Sequence, residues 1–260
     1  MFLHNKRLMY TVRVDEPDPH FAKLLMEQFG GANGELAAAM RYFTQAWNDP
    51  DGGRRGMLLD IATEELSHLE MVGQMLVMLL QGTVPAKVDA VEDSYLGKLM
   101  DGKGSLAELA LVPGEAVLGA GGPRLTDSAG NPWTSAYVDT LGQPVADLQS
   151  DIAAEGRAKI VYERLIKYTG DAGCSDTLQF LMTREVAHQK MFEAALGAIT
   201  DNFPPGQLQG DEKLGHTYFK TSSDSGGPDD QGFAFVEANS RWGFEQDTEV
   251  VAHAADQQVL

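Results

Sequence analysis

DIATEELSHLEMV (60–72) and FLMTREVAHQKMFEAAL (180–196) each contain a Glu-x-x-His pair, Glu65 with His68 and Glu185 with His188. A three-residue step keeps both side chains of a pair on one face of a helix. The flanking residues say which face. Ile61, Glu65, His68, Val72, Met75 and Leu79 recur in steps of three and four, as do Leu178, Leu181, Glu185, His188, Phe192, Ala195 and Ile199. Both pairs therefore sit in the middle of apolar, core-facing stripes. One such pair alone is usually a surface feature, and a lone core histidine is usually just hydrogen-bonded. Two pairs on two helices are hard to reach by chance.

Outward from these stretches the chain divides into four long helical segments. The first runs from about His20 to Trp47 and ends at the turn Asn48-Asp49-Pro50-Asp51-Gly52-Gly53. The second runs from about Arg54 to Leu80 and stops near Gly82 and Pro85. The third spans about Val145 to Tyr168, and its stripe is Leu148, Asp151, Glu155, Ala158, Tyr162 and Leu165. The fourth starts near Ser175, a candidate N-cap, and reaches Ile199 before Pro204-Pro205-Gly206. Ahead of them, residues 1–19 read as extended, because TVRV alternates and Pro17 and Pro19 oppose helix. The segment 83–144 is rich in Gly and Pro, with weak helix near Ser105–Leu111 and the turn-like GGPRLTDSAGNPW. Short links within each helix pair and one long crossover between pairs predict an all-α, ferritin-like four-helix bundle over residues 20–200. The tail 201–260 has no helical period. It carries 11 acidic and 3 basic residues and the aromatics Tyr218, Phe219, Phe233, Phe235, Trp242 and Phe244, so it is expected to wrap the bundle or a neighbouring subunit.

Glu35 on the first helix and Glu155 on the third complete the pattern. One Glu from each of two helices plus Glu-x-x-His from each of the other two is the inward-facing ligand set of di-iron and di-manganese bundles. Four unpaired buried carboxylates would cost several kcal/mol each, and two divalent cations offset that cost. Carboxylate with imidazole suits manganese or iron.

Composition narrows the partners. The net charge is −18, which predicts no nucleic-acid and no anionic-membrane partner, since both want a basic patch. No stretch approaches the roughly 18 apolar residues of a membrane span. Cys174 is the one cysteine, so neither an intrachain disulfide nor a Cys-based metal site can form. The opening MFLHNKRLMY lacks an apolar leader-like run. A cytoplasmic protein is expected.

At these same residues the chain resembles the manganese catalases. The likeness covers GGANGELAAAMRYF (30–43), DIATEELSHLEMV (60–72), DSAGNPWTSAYV (127–138), AAEGRAKIVYERL (153–165) and FLMTREVAHQKMFEAAL (180–196). The resemblance implies two manganese ions per chain held by Glu35, Glu65, His68, Glu155 and His188, with Glu65 bridging. Glu185 would then be a proton acceptor and donor rather than a ligand. Tyr42 would hydrogen-bond near the site; its alternative reading is a buried aromatic on a core stripe. The implied activity is disproportionation of hydrogen peroxide to water and dioxygen, cycling between dimanganese(II) and dimanganese(III), and the implied assembly is a homohexamer.

The chain departs from some members in two places. Ala154 stands where they carry Arg, so Arg157, Lys159 or no residue supplies that positive charge. Some members also bind calcium. Asp60 matches one of their acidic residues, but Gly56 stands where another is expected, and Lys220 and Asp224 differ as well, so calcium has only partial support. Two other readings use the same bundle: a ferritin-like di-iron ferroxidase or iron-storage protein, with Glu185 as a ligand, and a di-iron oxidase or oxygenase.

Overall fold

In the computed structural model, which describes residues 4, 6–81 and 122–199, the helices begin where short polar side chains cap them. Asp18 accepts from the His20 and Phe21 amides to start α1, Pro19–Gly30. After Glu35–Asn48 (α2), Asp51 accepts from the Arg54 amide to start α3, Gly52–Leu79. Gln143 starts α4, Pro144–Tyr168, whose Pro fits a first turn that needs no amide donor. Asp171 starts α5, Ala172–Gly197, through the Cys174 amide. The expected cap Ser175 is not the cap; it lies inside α5 and its hydroxyl accepts from Gln179 at 3.1 Å. A short 3-10 turn, Ser135–Tyr137, precedes α4. Among the described residues there is no strand beyond one isolated bridge between Thr126 and Pro132, and no helix is long and apolar enough to cross a membrane.

The first predicted helix is in fact two. Helical texture persists on both sides of GGANG, but the chain leaves the helix at Gly31, whose backbone is extended, and re-enters at Glu35. Close approach explains the glycines. A Cβ on Gly30 would lie 2.5 Å from the backbone of Thr126, and one on Gly34 would lie 2.7 Å from the backbone of Gln28. The loop pressing on Gly30 is rigid. Asp127 accepts from the Ala129 and Asn131 amides, Gly130 takes a positive φ of 88°, and Ser128 donates to Glu27 at 2.7 Å. The break puts Glu35 in the first turn of a new helix, where the aligned peptide dipoles favour a carboxylate.

α2 packs along α3, and α4 along α5. Two apolar clusters form. One joins Phe21 and Leu25 of α1 to Met71, Met75 and Leu79 of α3, Tyr162 and Leu165 of α4, and Leu178 and Leu181 of α5. The other joins Tyr42 and Ala46 of α2 to Leu58 and Ile61 of α3, Leu148 of α4 and Phe192 of α5. Along α3 the clusters end at Ala62 and resume at Met71; along α5 they end at Leu181 and resume at Phe192. Both Glu-x-x-His pairs fall in those gaps. The lead-in Leu8, Tyr10, Val12 and Val14 packs on the first cluster, with Tyr10 stacked on Phe180 at 4.5 Å. Cys174 is buried there too, and burial pushes its thiol up to about 12, where it is unreactive. The weak helix read near Ser105–Leu111 and the tail 201–260 lie outside the described residues.

The glycine break gives a paired stability test. Gly30→Ala should cost about 1–3 kcal/mol, because the new methyl meets backbone that cannot step aside. Gly56→Ala, in an exposed part of α3 with nothing within 4 Å of its Cβ, should instead stabilise by roughly 0.5–1 kcal/mol. Urea unfolding of both variants reads the two signs; equal small effects would contradict the packing described.

Candidate metal centre

Glu35 opens α2, Glu65 and His68 stand mid-way along α3, Glu155 along α4, and Glu185 and His188 along α5. None of the six is more than 1% exposed. The structure brings them into two overlapping groups. Donor atoms of Glu35, Glu65, His68 and Glu185 all lie within 4.8 Å of one another, and so do those of Glu65, Glu155, Glu185 and His188. Glu65 and Glu185 belong to both groups. The two imidazoles stack at 5.6 Å between centroids, tilted 19°. Each turns its Nδ1 inward: His68 Nδ1 is 2.9 Å from Glu65 Oε2 and 3.5 Å from Glu35, and His188 Nδ1 is 2.8 Å from Glu65 Oε1.

Several of these inward atoms are stranded. Glu35 Oε2, Glu65 Oε1, Glu155 Oε2, Glu185 Oε1 and His188 Nδ1 are buried with no hydrogen-bond partner. The 2.8 Å approach of His188 to Glu65 is an ion-pair distance without hydrogen-bond direction. Polar atoms so placed are costly unless something else bonds them. Oxygen and imidazole donors from four helices, converging in two sets that share two carboxylates, fit a pair of divalent ions of the manganese or iron type.

The outer oxygens are tied down by two tyrosines. Tyr42 donates to Glu155 Oε1 at 2.5 Å, the hydrogen bond expected of it, and also packs on Phe192. Tyr162 donates to Glu35 Oε1. The sequence placed Tyr162 on the core stripe without assigning it a partner; its position seven residues after Glu155 is the only hint.

Glu64 is the residue the sequence reading missed. It precedes Glu65, off the apolar stripe, and so reads as ordinary surface charge. Its Oε1 lies 3.5 Å from His68 Nε2, 3.4 Å from His188 Nε2 and 2.6 Å from Arg184 Nε. One carboxylate thus faces the outer nitrogens of both imidazoles at ion-pair distance, without a hydrogen bond to either, a charge that favours turning their Nδ1 atoms inward. The available signal was a symmetry: a charged residue, Glu64 or Arg184, immediately precedes each Glu-x-x-His, and the two pair. Arg157 and Lys159, considered as substitutes for the arginine absent at Ala154, point elsewhere, to Asn33 and Glu163.

The electrostatics follow from burial and crowding. Burial, then the Glu65 charge, lifts Glu35 to about 7 and Glu155 to about 8. The same causes hold Glu185 well above the usual carboxylate range. Burial opposes ionisation of Glu65 too, but His68 and His188 overcome it and keep Glu65 below that range. Burial likewise disfavours a charged His188, yet Glu64 and Glu65 raise it to about 9.

A buried dinuclear carboxylate–histidine site inside a helical bundle defines the class: a two-metal oxidoreductase of the ferritin-like kind. Comparison with known proteins narrows it. Residues 1–255 match the family of manganese containing catalases. A probable manganese catalase of Clostridium acetobutylicum is 39% identical over 201 residues, covering 76% of this chain and 81% of that protein. A manganese catalase of Bacillus subtilis is 34% identical over 198 residues, covering 75% and 70%. The crystal structure of wild-type KatB, a manganese catalase from Anabaena, superposes with a TM-score of 0.71 at 39% identity over 88% of this chain and 94% of that one. The chain belongs to the manganese catalase family, and its fold is the ferritin-like helical bundle expected. It is a hydrogen-peroxide oxidoreductase with a dimanganese centre.

Two measurements test the geometry. Metal must displace protons from His188, Glu155 and Glu35, whose values are about 9, 8 and 7. Apparent Mn(II) affinity should therefore rise with pH through about 9, and further while His68, held well above its usual range by the surrounding carboxylates against burial, still carries its proton, with protons released on binding. Calorimetry in buffers of different ionisation enthalpy reads the release, and pH-independent binding would contradict it. Glu64→Gln should keep the fold but weaken Mn(II) binding roughly 10- to 100-fold, measured by chelator competition.

Proposed function

We propose that the chain disproportionates hydrogen peroxide with Glu35, Glu65, His68, Glu155 and His188 holding the two manganese ions, Glu65 shared between them, and Glu185 left unligated to carry protons. One observation carries the distinction between the two shared carboxylates. Glu65 stands 2.9 Å and 2.8 Å from the inward nitrogens of the two histidines, whereas Glu185 comes no nearer to His68 Nδ1 than 3.6 Å. Glu65 is also the carboxylate held below the usual range, while burial and the Glu65 charge hold Glu185 well above it, as suits a group that gives and takes protons.

Held by these residues, a manganese pair would supply two-electron chemistry between its Mn(II) and Mn(III) states. One peroxide gains two electrons and two protons and becomes two waters. A second loses two electrons and two protons and becomes dioxygen. The chain's part is to hold one of those protons between the halves, at the Glu185 carboxylate, and to keep the ligand set from shifting. Tyr42 fixes Glu155 and Tyr162 fixes Glu35 from behind, while Glu64 orients the imidazoles. Burial of every ligand keeps bulk water from competing for the site.

A di-iron ferroxidase reading differs at one residue, because it makes Glu185 a ligand. The proposed assembly is a homohexamer, supported by the family resemblance and read by sedimentation of the intact chain. A cytoplasmic location is proposed from the single cysteine, since oxidising compartments favour paired ones.

Glu185→Gln is the deciding variant. The amide keeps size and some hydrogen bonding but cannot accept the proton. It should retain two manganese ions per chain and lose most oxygen evolution, on the order of a hundredfold or more. Metal lost in step with activity would move Glu185 into the ligand set and favour the ferroxidase reading.

A further inference from the structure

The break between α1 and α2 sets a labile dipeptide directly before an inward carboxylate. Asn33-Gly34 precedes Glu35, and no other asparagine of the chain is followed by glycine. An asparagine carboxamide is subject to attack by the next peptide nitrogen. That nitrogen bonds to Cγ, the C–NH2 bond breaks, ammonia leaves and a succinimide ring closes. Water then opens the ring at either carbonyl. One opening gives aspartate. The other gives isoaspartate, in which the main chain runs through the former side chain. Glycine in the second position speeds the first step, because it has no Cβ to crowd the attacking nitrogen.

The fold leaves no room for a slower second residue. Gly34 is the N-cap of α2, and a Cβ there would lie 2.7 Å from the Gln28 backbone. The lability therefore comes with the same break that delivers Glu35. Two contacts engage the reacting groups. The Gly34 amide donates to the Gly31 carbonyl at 3.2 Å, closing the turn that contains Asn33. Asn33 Oδ1 accepts from Arg157 Nε of α4 at 2.8 Å. Cyclisation requires the Gly34 amide to leave its turn bond and the carboxamide to swing onto it, and the guanidinium ties the carboxamide to another helix. Arg157 is exposed and Asn33 only half-buried, so solvent reaches the pair and supplies both the base and the water of the reaction.

We propose that Asn33 is a deamidation site at which the enzyme ages, that Arg157 guards it, and that the isoaspartyl product disables the metal centre by displacing Glu35. The last step rests on the reading of Glu35 as a manganese ligand. Isoaspartate adds one methylene to the main chain just ahead of the α2 N-cap. The surroundings cannot absorb it: Gly34 already lies against the Gln28 backbone, and Gly30 against the backbone of Thr126. Glu35 is the first residue of α2 and is 1% exposed, so any shift of the cap passes straight to its carboxylate. The aspartyl product behaves differently. It keeps the backbone length, and its carboxylate meets Arg157 as an ion pair in place of the amide contact. Damage therefore follows the isoaspartate fraction, not total deamidation. Arg157 acts through Asn33 and touches no reacting group of the peroxide chemistry, so it is a positioning residue.

The test incubates full-length, manganese-loaded protein in warm, mildly alkaline buffer: wild type, Arg157→Met, and the double variant Arg157→Met with Asn33→Ser, which cannot cyclise. Peptide mass spectrometry reads deamidation at Asn33, and methylation by an isoaspartyl methyltransferase reads isoaspartate. Manganese per chain and oxygen evolution are measured on the same samples. Fresh Arg157→Met should match wild type in metal and activity. On incubation it should deamidate at Asn33 several-fold faster, and lose manganese and activity in proportion to its isoaspartate. The double variant should keep both, and fresh Asn33→Asp should hold its manganese. Deamidation of Arg157→Met no faster than wild type overturns the guarding role. Isoaspartate at Asn33 with manganese and activity intact overturns the displacement of Glu35. Equal losses in the double variant and in Arg157→Met overturn both, since the decay would not pass through Asn33. Absence of oxygen evolution from fresh, metal-loaded wild type would instead strike the catalase reading, and the chemistry at Asn33 would still be read independently by mass.

Discussion

Four carboxylates at 1% exposure or less, drawn together from four helices, repel one another, and the two imidazoles among them offset only part of that repulsion. Everything else in the described structure is arranged around that layer. Apolar clusters close it above and below, so the site cannot be relieved by water. Tyr42 and Tyr162 bind the outer oxygens, and Glu64 reaches both histidines from the far side. Shared positive charge from two cations is what reconciles such a layer with a stable core, and the overlapping donor groups supply two positions for it.

The same constraint accounts for the irregular parts of the fold. Glu35 reaches the centre from the first turn of α2 because the chain breaks at Gly31–Gly34, and the break persists because the Thr126 loop leaves no room for side chains there. The segment leading into α4 is fastened along α2 by Arg41 to Tyr137, Gln45 to Asp139 and Thr44 to Thr140. That fastening seats α4, and with it Glu155.

Much of this was legible in the sequence because burial imposes periodicity. Every residue of the α3 and α4 stripes is buried as the three-and-four spacing required, and the α5 stripe is buried from Leu178 through Phe192. The six inward carboxylate and histidine residues converge as their spacing implied. What escaped depends on contacts between distant segments. The helix break needs the Thr126 loop, 96 residues away in sequence from Gly30. Glu64 lies off the stripe, and only the approach of α5 turns it toward both imidazoles. Asp171 displaces Ser175 as the cap because the helix begins about one turn earlier, where Asp171 also accepts from the Asp15 amide of the lead-in. Asp151 was visible on the stripe, but its want of partners is a property of the packed core alone.

The central claim is that two manganese ions occupy the buried layer and share Glu65. Anomalous diffraction from crystals of manganese-loaded protein, collected on either side of the manganese absorption edge, tests it directly. The account predicts two manganese peaks per chain, one bonded to His68 Nδ1 and Glu35, the other to His188 Nδ1 and Glu155, with Glu65 touching both. A single peak, a pair bonded through the histidine Nε2 atoms on the Glu64 side, or a metal-free layer in protein that evolves oxygen would contradict it.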